Sequence, residues 1–219
     1  KSLSALWLIH TTDESQRLAV EGLTRELTKA RLDADPRAKT FRPRFVSRFL
    51  RYAEAHAQPT REDYNALESE KDNLLGAAEL AFIQKDWRSV RRFASALALP
   101  ANGMLSVRGY WDEALRISGL ALEIAHSFRS ETAIAVWSHN VAVILSNRGE
   151  NREARRLYDQ SMEIEKNLGN QTGLASSLQE LGSLAHEQGE LNEARRLFDK
   201  SLEINKKLGN HGAIAINLH

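Results

Sequence analysis

The 219-residue chain has no cysteine, only 4 prolines and no long apolar run. Without cysteine it contains no disulfide framework, thiolate nucleophile or thiolate metal site, and this composition fits the reducing cytoplasm, which is the expected location. No apolar segment approaches the ~20 residues that a membrane-spanning helix needs, so no membrane partner is expected. Few prolines together with abundant Ala, Leu, Glu and Arg predict an all-α fold.

Positive and negative charges are also nearly balanced. The 30 basic and 29 acidic side chains give a formal net charge of +1, which does not indicate a globally basic, nucleic-acid-binding protein. There is no Gly-Lys-Ser/Thr triplet and no nucleophile elbow. The 7 histidines lack metal-ligand spacing: His10, His56, His126, His139, His186, His211 and His219. We therefore predict no catalytic residues, no metal site and no cofactor, and do not expect an enzyme.

The main positive feature of the sequence is an internal repeat. Gly109, Gly149 and Gly189 are each 40 residues apart. Aligned on these glycines, the chain reads GYWDEALRISGLALEIAHSF, GENREARRLYDQSMEIEKNLGN and GELNEARRLFDKSLEINKKLGN. Each period has the apolar spacing of two amphipathic helices, so the pattern predicts a series of helical hairpins built on one template.

Small and large residues recur at fixed places in this template. Gly182 and Ala194 lie where the two helices of a hairpin must approach closely, because a bulky side chain there would separate them. Phe198 and Tyr158, which are 40 residues apart, are predicted to be the large side chains that fill the space between hairpins.

The template resembles the tetratricopeptide repeat, in the longer variety found in kinesin light chains and many bacterial signalling proteins. The family pattern is matched by Leu181, Gly182, Ala185, Gly189, Ala194, Phe198 and Ser201. The preceding unit departs from it, with Val141 and Ala142 in place of Leu-Gly. The resemblance covers residues 109–219 and implies a right-handed superhelical stack of antiparallel helical hairpins, an α-solenoid that binds a protein or peptide.

In this family, one face of the first helix of each repeat lines a concave groove. Transferred to this sequence, the resemblance predicts a groove formed by Val136, His139, Asn140, Val143, Asn147, Gln179, Glu180, Ser183, His186 and Glu187. Asn140 matches an asparagine that clamps the ligand backbone in kinesin-light-chain-like repeats, whereas the next unit has Glu180 at that place. The alternative is that these residues form a solvated helix face without a ligand.

The repeat pattern divides the chain into three regions. Residues 1–36 are read as one or two helices without a family, residues 37–108 as degenerate repeat-like hairpins, and residues 109–219 as the repeats. The last repeat is truncated, and a repeat stack needs a polar cap. We therefore expect that the natural chain continues beyond His219, or that this end associates with a second copy.

The strings LESEKDNLLGAAELAFIQKDWRSVRRFASALA and RGYWDEALRISGLALEIA are also similar to a known region. They resemble the helical arm that follows the nucleotide-binding module in bacterial signal-transduction ATPases of the apoptotic-ATPase type. This resemblance implies an arm that acts as the scaffold or sensor of a larger signalling protein.

A basic segment at residues 37–51 supports a competing function. Its cationic side chains are interleaved with Phe41, Phe45 and Phe49 and with no acid: Arg37, Lys39, Arg42, Arg44, Arg48 and Arg51. One interpretation is contact with nucleic-acid phosphates. The other, which we favour, is an amphipathic helix with its phenylalanines in the core and its arginines in water. The leading prediction is a protein- or peptide-binding module, with a nucleic-acid-associated regulator as the alternative.

Overall fold

The computed structural model describes residues 9–11, 18–20 and 35–210. By its internal contacts the chain divides into two compact units, residues 1–45 and residues 46–219. Residues 46–108 and the repeats that follow them therefore share one unit. The expectations of a truncated last repeat and of self-association concern residues 211–219, which lie outside the described residues.

The described part of the first unit contains two short strands. Strand β1, Ile9–Thr11, pairs antiparallel with β2, Leu18–Val20, and Ile9 lies opposite Val20. The prediction of helix over residues 1–36 is therefore wrong for these six positions. Three of the six residues are β-branched, and such residues favour the extended backbone once a partner strand is available.

Helix α1, Ala38–Ala55, contains the whole of the basic segment after Arg37. Pro43 lies inside it, beyond the first turn, because the helix already begins at Ala38. The phenylalanines are not equally buried: Phe49 is 9% exposed, whereas Phe41 is 55% exposed and stacks on Phe45. The expected apolar stripe is thus in the core only at its C-terminal end.

The rest of the described chain is helical, which confirms the all-α stack of hairpins. The helices are α2 Arg61–Ser69, α3 Lys71–Ile83, α4 Trp87–Leu97, α5 Met104–Val107, α6 Trp111–Ser127, α7 Glu131–Asn147, α8 Asn151–Asn167, α9 Gln171–Glu187 and α10 Leu191–Leu208. Helices α7 and α9 are the first helices of their repeats, and α8 and α10 are the second. Each of these packs against its neighbours in sequence order.

Glycine permits the sharp turn between the helices of each repeat. Gly149 and Gly189 have φ values of +88° and +78°, a left-handed backbone that follows the end of α7 and of α9. Only glycine adopts this conformation without steric cost, which is why it recurs with the period of the repeat.

The close approach predicted within the hairpin is present. A Cβ atom added to Gly182 of α9 would lie 2.7 Å from the ring of Phe198 in α10. One period earlier, Ala142 and Tyr158 are fully buried in the same core. A second repeated contact joins the helices: the hydroxyl groups of Ser161 and Ser201 donate to the carbonyl oxygens of Ala135 and Ala175 at 2.9 and 2.8 Å.

The unit that precedes these repeats has an interrupted first helix. Counting back 40 residues from α7 gives residues 91–107, which are the end of α4, a turn and the short α5. The turn is closed by a hydrogen bond of 2.7 Å from the Gly103 amide to the Leu99 carbonyl. Tyr64 of α2 fixes it from outside, because its hydroxyl donates to the Asn102 carbonyl at 3.0 Å.

Replacing Gly182 by alanine should destabilise the protein, because the new methyl group forces the Phe198 ring to move. The expected loss in the free energy of unfolding is about 1–3 kcal/mol by urea denaturation. Gly119→Ala in α6 is the matched control, since nothing lies within 4 Å of its added Cβ. There alanine should stabilise the helix by about 0.5–1 kcal/mol. Equal effects of the two substitutions would contradict the close approach.

Candidate functional site

The ten residues predicted to line a groove lie on α7 and α9, and we call the surface that carries them the groove face. Six of them are partly buried and four are exposed. The partly buried residues are His139, Asn140, Val143, Gln179, Glu180 and Ser183. The exposed residues are Val136, Asn147, His186 and Glu187. Since His139 is only partly covered and His186 is exposed, the groove face is open to solvent.

Four of the ten residues meet in one pocket of about 390 Å³. His139, Asn140 and Val143 of α7 and Glu180 of α9 form one side of it. The other side is the turn that interrupts the preceding first helix: Leu99, Pro100, Ala101 and Asn102. This volume lies within the ~300–1,000 Å³ range of pockets that hold small ligands.

Residues 99–102 were missed as part of the site, although the sequence contains the signal. Leu99 and Pro100 stand one period of 40 residues before His139 and Asn140. Because they belong to a turn and not to a helix, they leave the space that a regular first helix would fill. Gly103 is required there, since an added Cβ would lie 2.5 Å from the Leu99 nitrogen.

A chain of hydrogen bonds connects the pocket to the interior of the hairpins. The hydroxyl of Ser161 donates to the Ala135 carbonyl at 2.9 Å, and the hydroxyl of Ser177 donates to Ser161 at 3.4 Å. His139 Nδ1 lies 3.3 Å from the Ser177 oxygen. With both hydroxyl protons used in this way, Nδ1 is the donor and Nε2 is left as an acceptor; if Ser177 donates to Nδ1 instead, these roles are exchanged.

Tyr158 of α8 lies beneath the groove face. Its ring meets the His139 ring edge to face, with 5.5 Å between the centroids. The side chain is 1% exposed, and its hydroxyl has no hydrogen-bond partner among the described residues. Burial raises the pKa of Tyr158, and the negative charges of Glu180 and Glu187 raise it further.

Burial also changes the protonation of the two titratable groups that line the pocket. It lowers the pKa of His139 from 6.5 to about 4, so this ring is neutral at pH 7. It raises the pKa of the Glu180 carboxyl group, and the nearby charge of Glu187 adds to this effect. The pocket therefore presents acceptor atoms and negative charge without a compensating cation among the residues that line it.

The polar side chains of the pocket are available to a ligand. Asn140 and Glu180 have no hydrogen-bond or ion-pair partner within residues 35–210, and an asparagine amide can both donate and accept. Within the described residues there is no cluster of side chains suited to hold a metal ion. In the same part of the chain, no helix is long and apolar enough to cross a bilayer.

These elements define a class of protein: a stack of antiparallel helical hairpins that presents the first helix of each repeat on one face. Residues 131–207 match the family model described as tetratricopeptide repeat. The repeats expected from the sequence are thereby confirmed as tetratricopeptide repeats in α7 to α10. Proteins of this fold act as interaction scaffolds.

Two solved structures are similar to the chain. One is the crystal structure of BtubC (BKLC) from P. vanneervenii, with 18% identity over 76% of this chain and 74% of that chain and a TM-score of 0.47. The other is the crystal structure of the MamA protein, with 14% identity over 76% of this chain and 95% of that chain and a TM-score of 0.41. Among curated proteins, none matches the chain in sequence.

His139 should make the stability of the protein depend on pH. In the unfolded chain this histidine takes up a proton below pH ~6.5, whereas in the folded chain it stays neutral down to about pH 4. The unfolded state therefore binds more protons in this window, and stability falls as pH falls. Between pH 7 and pH 5 the wild type should lose up to about 2 kcal/mol more than His139→Gln in urea unfolding.

His186→Gln serves as the control for this experiment, because it removes an exposed histidine from the same face. It should follow the wild type across the whole pH range. If His139→Gln also follows the wild type, the ring is not held neutral by burial.

Proposed function

We propose that the chain is an interaction module whose groove face binds an extended segment of another protein. The observation that carries the proposal is the pocket in which the unpaired side chains of Asn140 and Glu180 converge beside the turn at residues 99–102. An extended peptide brings unpaired amide and carbonyl groups that need partners, and an asparagine amide supplies one donor and one acceptor surface.

The rigidity of the surroundings supports this function. Asn140 and Glu180 stand on helices whose buried faces share one hydrophobic core with Tyr158 and Leu181. Side chains placed on packed helices lose little entropy on binding, so a ligand meets groups that are already in position. A solvated helix face needs neither a pocket nor a hydrogen-bonded network beneath it.

We further propose that the module is the scaffold or sensor arm of a larger signalling protein. The support is the similarity of residues 67–98 and 108–125 to the helical arm of bacterial signal-transduction ATPases. In such a role the groove would recognise the partner, and the remainder of the protein would respond to it.

Selection from a random dodecapeptide library on the wild-type protein tests groove binding directly. Selected peptides should bind, and Asn140→Ala should weaken them about 5- to 30-fold, the effect of losing one or two hydrogen bonds. Asn167→Ala, which removes an exposed asparagine from α8, should leave their affinity unchanged. Fluorescence anisotropy with labelled peptides provides the affinities. Equal affinity for both variants would contradict the assignment of the groove face.

A nucleic-acid-associated function is the second candidate. The observation in its favour is helix α1, which carries a series of arginines and one lysine with no acid before Glu54. A single-stranded 20-mer DNA, titrated at 50 and 200 mM salt, distinguishes the two functions. Binding through phosphates would weaken by orders of magnitude over this range, whereas absence of binding at both salt concentrations removes this candidate.

A further inference from the structure

The residues of the pocket on the groove face indicate which kind of ligand side chain it binds. We propose that it is a subsite for one cationic side chain, a lysine or arginine of the bound segment, and that Glu180 is the carboxylate that receives it. This inference rests on the proposed function, since it specifies what the groove face recognises.

Glu180 is isolated from positive charge within residues 35–210. Glu165 and Glu187 have no lysine or arginine within 4.0 Å among residues 35–210, whereas ten other glutamates of the described chain have one: Glu54, Glu68, Glu79, Glu113, Glu150, Glu153, Glu163, Glu190, Glu193 and Glu203. Glu180 has none within residues 35–210, although it is more deeply buried than most of them. A carboxylate that is partly removed from water and has no cation beside it carries an uncompensated desolvation cost. A cation of the ligand would offset this cost.

The titratable residues that line or underlie the pocket bring no positive charge to Glu180. From α7 the neighbouring pocket residue is His139, which is neutral at pH 7, and from α9 the nearby charge is Glu187. From α8 it is Tyr158, whose hydroxyl remains protonated. The turn at residues 99–102 contributes no charged side chain. The electrostatic potential of the pocket is thus negative, which attracts a cation and repels an aspartate or glutamate.

The hydroxyl of Tyr158 is buried beneath the groove face. The phenol oxygen of Tyr158 is enclosed and has no partner among the described residues, and the negative charges of Glu180 and Glu187 help to raise the pKa of this phenol. Buried polar groups without a partner are uncommon in folded proteins. The hydroxyl is therefore a hydrogen-bond donor still without an acceptor among the described residues, on a ring that packs against His139 of the pocket.

The walls of the pocket suit the rest of a basic side chain. Leu99, Pro100 and Val143 provide apolar surface for the methylene groups of lysine or arginine, which pack on such surface while the charged end reaches polar partners. The acceptors available to that end are Glu180, the amide oxygen of Asn140 and, where Nδ1 is the donor, the His139 Nε2 atom. A neutral ligand side chain would leave the negative charge of Glu180 without a cation.

A double-mutant cycle tests this subsite with peptides selected from the random dodecapeptide library on the wild-type protein. The selected peptides should share a lysine or arginine at one position. Glu180→Gln should weaken the best of them about tenfold or more, and so should replacing the basic residue by citrulline or acetyl-lysine. The two changes together should weaken binding no further than one alone, because both remove the same pair.

Glu163→Gln is the matched control, since it removes an exposed carboxylate of α8, and it should leave affinity unchanged. Glu180→Gln preserves the shape of the side chain and removes an uncompensated charge, so its thermal unfolding midpoint should equal or exceed that of the wild type. Selected peptides that lack a basic residue, or that bind Glu180→Gln as tightly as the wild type, overturn the subsite and leave groove binding intact. Failure to select any peptide overturns both proposals.

Discussion

The fold depends on one steric constraint, the close approach of the two helices within each hairpin. In the last described repeat, Gly182 of α9 faces the ring of Phe198 in α10 with no room for a Cβ atom. One period earlier Ala142 and Tyr158 occupy the same places in the core. As long as this pairing of small and large residues is kept, successive hairpins repeat the same geometry, and the first helices present equivalent positions on one face.

The pocket on the groove face forms where this regular repeat geometry is interrupted. Residues 99–103 hold the place of a helical turn but form a hydrogen-bonded turn instead, fixed by Gly103 and by the hydroxyl of Tyr64. The gap becomes a pocket because the neighbouring helices remain in position around it. In the same region, Tyr158 replaces the Phe198 of the next repeat, which brings a hydroxyl group beneath the pocket. A regular fold with one local departure is thus sufficient to create a distinct site.

The sequence predicted the repeats and the close approach at Gly182 because both depend on residues that recur with a fixed spacing. It placed Phe198 between successive hairpins, whereas the ring packs on Gly182 within one hairpin. The resemblance to the tetratricopeptide repeat also placed His139, Asn140 and Glu180 on one groove-lining face. The sequence did not predict that the turn at 99–102 would complete the pocket, because that contact joins segments about one repeat apart and depends on how far the helix is interrupted. Nor did helical composition reveal the strands at Ile9–Thr11 and Leu18–Val20, since a strand depends on the segment that pairs with it and not on composition alone.

In the proposed complex a peptide lies along the groove face and enters the pocket between α7, α9 and the turn. The most direct measurement uses a selected peptide with a nitroxide spin label and records the loss of amide NMR signals in the protein. We expect strong broadening at Ala101, Asn140 and Glu180 and none at Glu163 or Lys200 on the second helices. Broadening centred on the second helices, with the signals of Asn140 and Glu180 unchanged, would contradict the account.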